Sequence, residues 1–125
     1  MKTIINTKDA PQPIGPYSQA VKVDKTLFVS GQIAINPATG NLMLDNVHEE
    51  TNQIMRNIGA ILKAAGMDYA NIVKTTIFLT NMNNFSSVNE VYGSFFKNDF
   101  PARETVQVSR LPKDVNIEIS VVAVE

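Results

Sequence analysis

Cysteine and tryptophan are absent from this 125-residue sequence, and histidine occurs once, as His48. Without cysteine there is no disulfide, no thiol nucleophile and no thiolate to ligate a metal, a composition compatible with a reducing compartment. A single imidazole argues against a His-rich metal site or a Ser-His-Asp triad. An excess of one charge is lacking too: eleven Lys and Arg stand against twelve Asp and Glu, a formal net charge of −1. That balance carries no electrostatic footprint for nucleic acid or an anionic membrane, so neither partner is expected, and near-neutrality leaves self-association easy. Long apolar runs are also missing. After Met1 and Lys2 the first is Ile4-Ile5, too short for a signal peptide or a membrane span, so a cytoplasmic protein is expected.

What is present suits one soluble domain over residues 1–125, with 44% hydrophobic and 18% charged residues and enough chain for a real core. Lys2 to Asn6 reads as a short edge strand. Pro11, Pro13 and Pro16 forbid a regular ladder and predict a rigid loop ending in Gly15-Pro16-Tyr17-Ser18. Gln19 to Val23 alternates as a strand, Asp24-Lys25 is a turn, and Leu27 to Ser30 returns. Gly31 interrupts that strand, which implies a bulge or a ligand close to the backbone, and Ile33 to Ile35 continues it.

The period then changes. Ile54, Ile58, Ile61, Leu62 and Ala65 recur at helical spacing, with Glu49, Glu50, Gln53, Arg56, Asn57 and Lys63 elsewhere on the wheel. Asn46 and Glu49 suit a capping box and Gly66 a left-handed stop, so a helix is predicted over 47–65. Ile72 to Thr80 is rich in β-branched residues and predicts a buried strand. A second helix is predicted over about 84–98, capped within Asn81 to Asn84 and ended by Pro101, with Phe85, Val88, Tyr92, Phe95 and Phe96 as its stripe. The last stretch, Pro101 to Ala123, reads as a hairpin in which Val108 faces Ile117 and Val106 faces Ile119. On this reading Arg103, Thr105, Gln107 and Glu118 share its non-core face. The element order gives an α+β fold, a mixed sheet with both helices on one face and the other face free to meet a second copy.

Several residues are candidates for chemistry. Arg103 has the planar guanidinium that holds a carboxylate through two hydrogen bonds, although spacing alone favours a surface or interface arginine paired with a protein carboxylate. Glu118, in a strand that otherwise favours Ile and Val, is either a solvated glutamate or a group that orients water and exchanges a proton. Ser30 and Gly31 can present a hydroxyl and backbone groups to a ligand. Tyr17 is either a packed ring or a lid on the proline loop. Asn89 shares a helical face with Phe85 and Tyr92, where capping or bridging a loop is expected.

Taken together, Gly15-Pro16-Tyr17-Ser18-Gln19, Ser30-Gly31-Gln32, Val88-Asn89-Glu90-Val91-Tyr92, Pro101-Ala102-Arg103, Leu111-Pro112-Lys113-Asp114 and Ile117-Glu118-Ile119 closely resemble the RidA (YjgF) family. The resemblance runs through essentially the whole chain, and the co-occurrence of these motifs in order makes it specific. It implies a chorismate-mutase-like fold, a homotrimer whose sheets form a central β-barrel, and ligand pockets between subunits. It implies hydrolysis of the reactive 2-enamine and 2-imino acids released by PLP-dependent dehydratases, giving 2-oxo acids and ammonia, without metal or cofactor. By position, Arg103 resembles the family's carboxylate anchor and Glu118 its water-orienting residue; Tyr17, Ser30, Gly31, Asn89 and Thr105 resemble pocket residues. Thr105 stands where many members have cysteine, and Glu104 where a small residue is usual. A non-catalytic metabolite-binding module of amino-acid or purine metabolism is the rival reading. A nuclease or translation inhibitor, a role attached to relatives, is disfavoured by the missing basic patch.

Overall fold

The computed structural model describes residues 1–125. Six strands form one sheet: β1 (Lys2–Ile5), β2 (Ala20–Val23), β3 (Thr26–Gln32), β4 (Ile72–Leu79), β5 (Ala102–Gln107) and β6 (Ile117–Val124). Their spatial order is β1-β2-β3-β6-β4-β5, antiparallel throughout except for the parallel pair β4–β5. Two helices complete the fold, α1 (Val47–Ala64) and α2 (Phe85–Gly93). The element order is the expected α+β one, but the closing hairpin is not there: β4 lies between β5 and β6.

Burial explains why. Ile117, Ile119, Val121 and Ala123 are all essentially inaccessible, which requires a strand flanked on both sides, whereas Val106 of β5 is exposed as befits an edge. β5 follows α2 as a crossover connection and so pairs parallel to β4, with Thr75 beside Arg103 and Ile77 beside Thr105. In β6, Ile119 pairs with Ile77 and Glu118 with Phe78. Since paired residues share a face and neighbours along a strand alternate, Arg103 and Thr105 lie on the helix-covered side and Glu118 on the open side. The expectation that they share a face is therefore overturned. Val106 likewise pairs with Phe78 rather than Ile119, and the Val108 N–H donates to the Leu79 carbonyl at 2.8 Å rather than facing Ile117.

The covered side packs Leu27, Val29, Ile77, Leu79 and the inward residues of β6 against Ile54, Met55, Ile58, Ile61 and Leu62 of α1. The open side carries Phe28 and Val106 at 50% and 42% exposure, together with Phe78 and Val122. Exposed apolar side chains grouped on one sheet face are a feature of interaction surfaces.

α1 starts at the expected cap, with the Asn46 side chain accepting from the Glu49 N–H at 2.9 Å, but the Glu49 side chain does not reach back to close a capping box; Gly66 supplies the left-handed conformation (φ +75°) after its end. α2 is shorter than expected. A separate 3-10 turn, Met82–Asn84, is capped by Asn81, while Asn84 caps nothing. Beyond Gly93 the chain makes successive tight turns, with the N–H groups of Ser94, Phe95 and Phe96 each reaching back three residues. Residues 33–35 do not extend β3; Ile35 makes only an isolated bridge to Leu42. Asn57 takes up the freed backbone instead, donating to the carbonyls of Ile33 (3.3 Å) and Ile35 (2.9 Å).

Three polar residues of α1 are buried in the core side rather than left to solvent: Glu50 and Thr51 at 0% exposure and Asn57 at 1%. The Glu50 carboxylate accepts from the Asn116 N–H at 2.9 Å, the Asn116 side-chain amide at 2.7 Å and the Ile117 N–H at 3.1 Å. Three donors satisfy a buried acceptor that would otherwise be costly.

Candidate active site

The candidate residues fall into two groups. The first surrounds the bulge in β3, where the register against β6 shifts between Val29 and Gln32. The bulge is held against the proline loop by Ser30, whose N–H donates to the Gln19 carbonyl at 2.9 Å and whose hydroxyl donates to the Ser18 carbonyl at 2.6 Å. The loop in turn is fixed by the buried Gln19 amide. It donates to the carbonyls of Thr7 (2.9 Å), Ala10 (3.3 Å) and Pro11 (2.9 Å), and its oxygen accepts from the Thr7 N–H at 2.7 Å. Prolines thus remove donors and one side chain gathers the carbonyls they leave.

Within this frame Tyr17, Ser30, Gly31 and Glu118 line a cavity of about 320 Å³ with Ile14, Ile33 and Pro112. Glu118 packs directly against Gly31: a Cβ there would lie 2.7 Å from Cδ of Glu118, so any side chain would displace the carboxyl group. Tyr17 is half exposed at the cavity, its hydroxyl accepting from the Ile14 N–H at 3.3 Å. Desolvation alone pushes the Glu118 carboxyl above the usual glutamate range. A carboxylate of that kind, close to water and unpaired, suits a general base.

The second group lies on the other side of the sheet. Arg103 projects from β5 onto α2, its guanidinium 5.2 Å from the Tyr92 ring centroid and 5.6 Å from that of Phe85. The Tyr92 ring is fixed by a 2.9 Å hydrogen bond from its hydroxyl to Thr75 Oγ1. Burial raises the Tyr92 phenol, opposed in part by that bond and by Arg103. The four ion pairs of the chain do not include Arg103, so its guanidinium remains available to an anion. With Asn89, Tyr92, Gly93, Phe100 and Pro101 it lines a cavity of about 310 Å³. Asn89 faces this cavity instead of capping a loop. Beside Arg103, the Thr105 hydroxyl is buried without a hydrogen-bond partner.

No residue lines both cavities. β4 separates the two strands, about 10 Å at the usual strand spacing, and the functional groups point to opposite sides. One chain therefore presents an unpaired guanidinium and an unpaired carboxylate that a small molecule cannot bridge within that chain. Tyr92 and Phe85, which hold the arginine, read in the sequence only as apolar positions of a helix; their spacing to Arg103 gave no signal. Glu104, the departure from the usual small residue, faces the open side, where it accepts from the Thr76 hydroxyl and pairs with Lys74 at 3.0 Å. It therefore stands apart from both cavities. No cluster of three or more His, Asp or Glu side chains is placed to hold a metal, and no helix is long and apolar enough to cross a membrane.

The fold and these clefts define a small α+β protein, a mixed sheet with two helices on one side and recesses sized for small organic acids. A family model described as Endoribonuclease L-PSP matches residues 7–125. A human protein named 2-iminobutanoate/2-iminopropanoate deaminase is 50% identical over 125 residues, covering 100% of this chain and 91% of that one. The crystal structure of YyfA from Yersinia pestis, of the conserved Rid protein family, superposes with a TM-score of 0.97 at 51% identity and full coverage (100%) of both chains. Escherichia coli TdcF, solved with bound serine, gives a TM-score of 0.95 at 43% identity over 98% of each chain. The chain belongs to the RidA (YjgF) family.

Proposed function

We propose that this protein is a 2-iminobutanoate/2-iminopropanoate deaminase that works by hydrolysis, with the cytoplasm as its compartment. The observation that carries the reading is the pair of unengaged groups: a guanidinium with no carboxylate partner and a carboxylate with no cation. The likeness to the human deaminase supports it, and serine, the ligand in TdcF, has the same carboxylate and adjacent nitrogen-bearing carbon as the imino acids.

In this mechanism Arg103 holds the substrate carboxylate and Glu118 accepts a proton from a water that attacks the imine carbon. As the C–O bond forms, Glu118 passes that proton to the imine nitrogen, giving a carbinolamine. Its hydroxyl proton then moves through Glu118 to the nitrogen as the C–N bond breaks, which releases ammonia and the 2-oxo acid and restores the carboxylate. Imines hydrolyse in water unaided, so placement of water and substrate, with one base, supplies the required acceleration.

Because the two halves lie on opposite sides of one sheet, the complete site forms between copies. The Tyr17–Ser30–Gly31–Glu118 cavity of one subunit meets the Asn89–Arg103–Thr105 side of the next. A homotrimer whose open sheet faces line a central barrel also covers Phe28, Phe78, Val106 and Val122. The near-zero net charge favours small 2-imino and 2-oxo acids over nucleic acid as partners.

The test couples the purified protein to a threonine dehydratase and follows decay of the imine. Acceleration that Arg103→Ala abolishes is expected. Saturable binding of 2-oxobutanoate with no acceleration replaces the enzyme by a metabolite-binding module.

A further inference from the structure

β3 and β6 part company beside the catalytic cavity. Their last paired residues are Gln32 and Ile119, so Ile117, two residues earlier in β6, has no β3 partner. The diverging strands expose unmatched groups on both banks of the gap. On the β6 bank these are the N–H groups of Asn116 and Ile117; on the β3 bank, the carbonyl of Ile35, beside that of Ile33, which accepts locally from the Ile35 N–H at 2.8 Å and has a lone pair to spare. Both sets are taken by one helix. Glu50 accepts the N–H groups at 2.9 and 3.1 Å, and Asn57 donates to the carbonyls at 3.3 and 2.9 Å. Seven residues apart, Glu50 and Asn57 point from the same side of α1. Gln53 between them donates to the Asn57 oxygen at 2.9 Å, leaving the Asn57 amide nitrogen for the backbone.

We infer that α1 braces the two banks of this gap, with Glu50 and Asn57 as positioning residues that hold Glu118 against Gly31. The inference rests on the proposed role of Glu118. Each bank carries one side of the cavity: Glu118 directly follows the residues Glu50 holds, and Gly31 lies two residues before the first carbonyl Asn57 holds. Apolar residues at positions 50 and 57 could fill the space but not fix the separation of the strands. A hydrogen-bond acceptor, not a charge, is what the β6 bank needs. A glutamine at position 50 accepts both backbone N–H groups, and its amide nitrogen donates to Asn116 once that amide rotates.

The test is a double-mutant cycle on the full-length protein with 2-iminobutanoate turnover as readout. Glu50→Leu and Asn57→Leu are each expected to lower kcat about tenfold, a displacement of well under 1 Å in a catalytic group being enough, with KM changed less than twofold. Combined with Glu118→Gln, neither lowers kcat further, because the group they position has already been lost. Glu50→Gln restores most of the turnover lost in Glu50→Leu. An equal loss with and without Glu118 means that α1 supports only the fold and overturns the proposal, as does a rise in KM at unchanged kcat. Where Glu50→Leu does not fold, Asn116→Ala, which removes one of three donors to Glu50, carries the same cycle. Glu118→Gln retaining full turnover by itself instead overturns the role of Glu118, so the two failures are distinct.

Discussion

The Glu118 side chain occupies the space a side chain at position 31 would need: a Cβ on Gly31 would lie 2.7 Å from Glu118 Cδ and 3.1 Å from Cγ. Gly31 has no left-handed backbone, so contact and not strain fixes this residue type. Gly31→Ala is expected to displace the Glu118 carboxylate and lower kcat by at least about tenfold. Melting should shift little, and steady-state kinetics with thermal unfolding checks both.

Glu118 carries an opposite effect on stability. Its carboxyl titrates above the usual glutamate range because folding desolvates it. Between the unfolded value, about 4.3, and the raised folded one, the native state holds the proton and the unfolded state does not. Stability from this group therefore falls as pH rises through that window. Glu118→Gln should melt higher than the parent at pH 7 and lose that advantage in acid, while turnover of the parent falls as pH drops through the raised value. Calorimetry of both proteins across pH, with the pH–rate profile of the parent, measures this.

The unpartnered Thr105 hydroxyl costs about 1–3 kcal/mol if nothing bonds to it. Thr105→Val, which keeps shape and strand preference, is expected to raise Tm by roughly 4–11 °C. If the hydroxyl meets ligand, the same variant binds 2-oxobutanoate severalfold more weakly. Titration calorimetry and thermal unfolding on one preparation separate the two effects.

Phe28 is exposed in the middle of the open sheet face. On the proposed assembly, Phe28→Lys should leave the subunit fold intact, dissociate the trimer and remove turnover in parallel, because the proposed site takes its two halves from different copies. Sedimentation velocity alongside the coupled assay reads this; a monomeric parent with full activity contradicts it.

Local patterns were legible where one period or one turn residue decides. The helix from 47, its Asn46 cap, the left-handed Gly66 and the bulge at Gly31 all stand as expected. The Pro101–Ala123 hairpin failed because alternation identifies strands without saying which strand is the neighbour. Val106 and Ile119 each suit a half-buried strand, and only the burial of β6 on both flanks shows that β4 intervenes. That error carried Arg103 to the wrong face. The motifs, read jointly, point to Arg103 and Glu118 without any assumption about pairing, since a motif does not depend on it. Glu50 and Asn57 were read as the polar part of the wheel, because periodicity counts side-chain type and cannot see an unmatched backbone group across the core.

β6 comes after every other strand in chain order yet occupies the seam between β3 and β4. Until it inserts, β1-β2-β3 and β4-β5 are two unjoined pieces with their apolar faces unfinished. The residue that faces Gly31 rides on this closing strand. The cavity around Gly31 and the core of the subunit are consequently completed in one long-range event, the slow and cooperative kind expected of pairings distant in sequence.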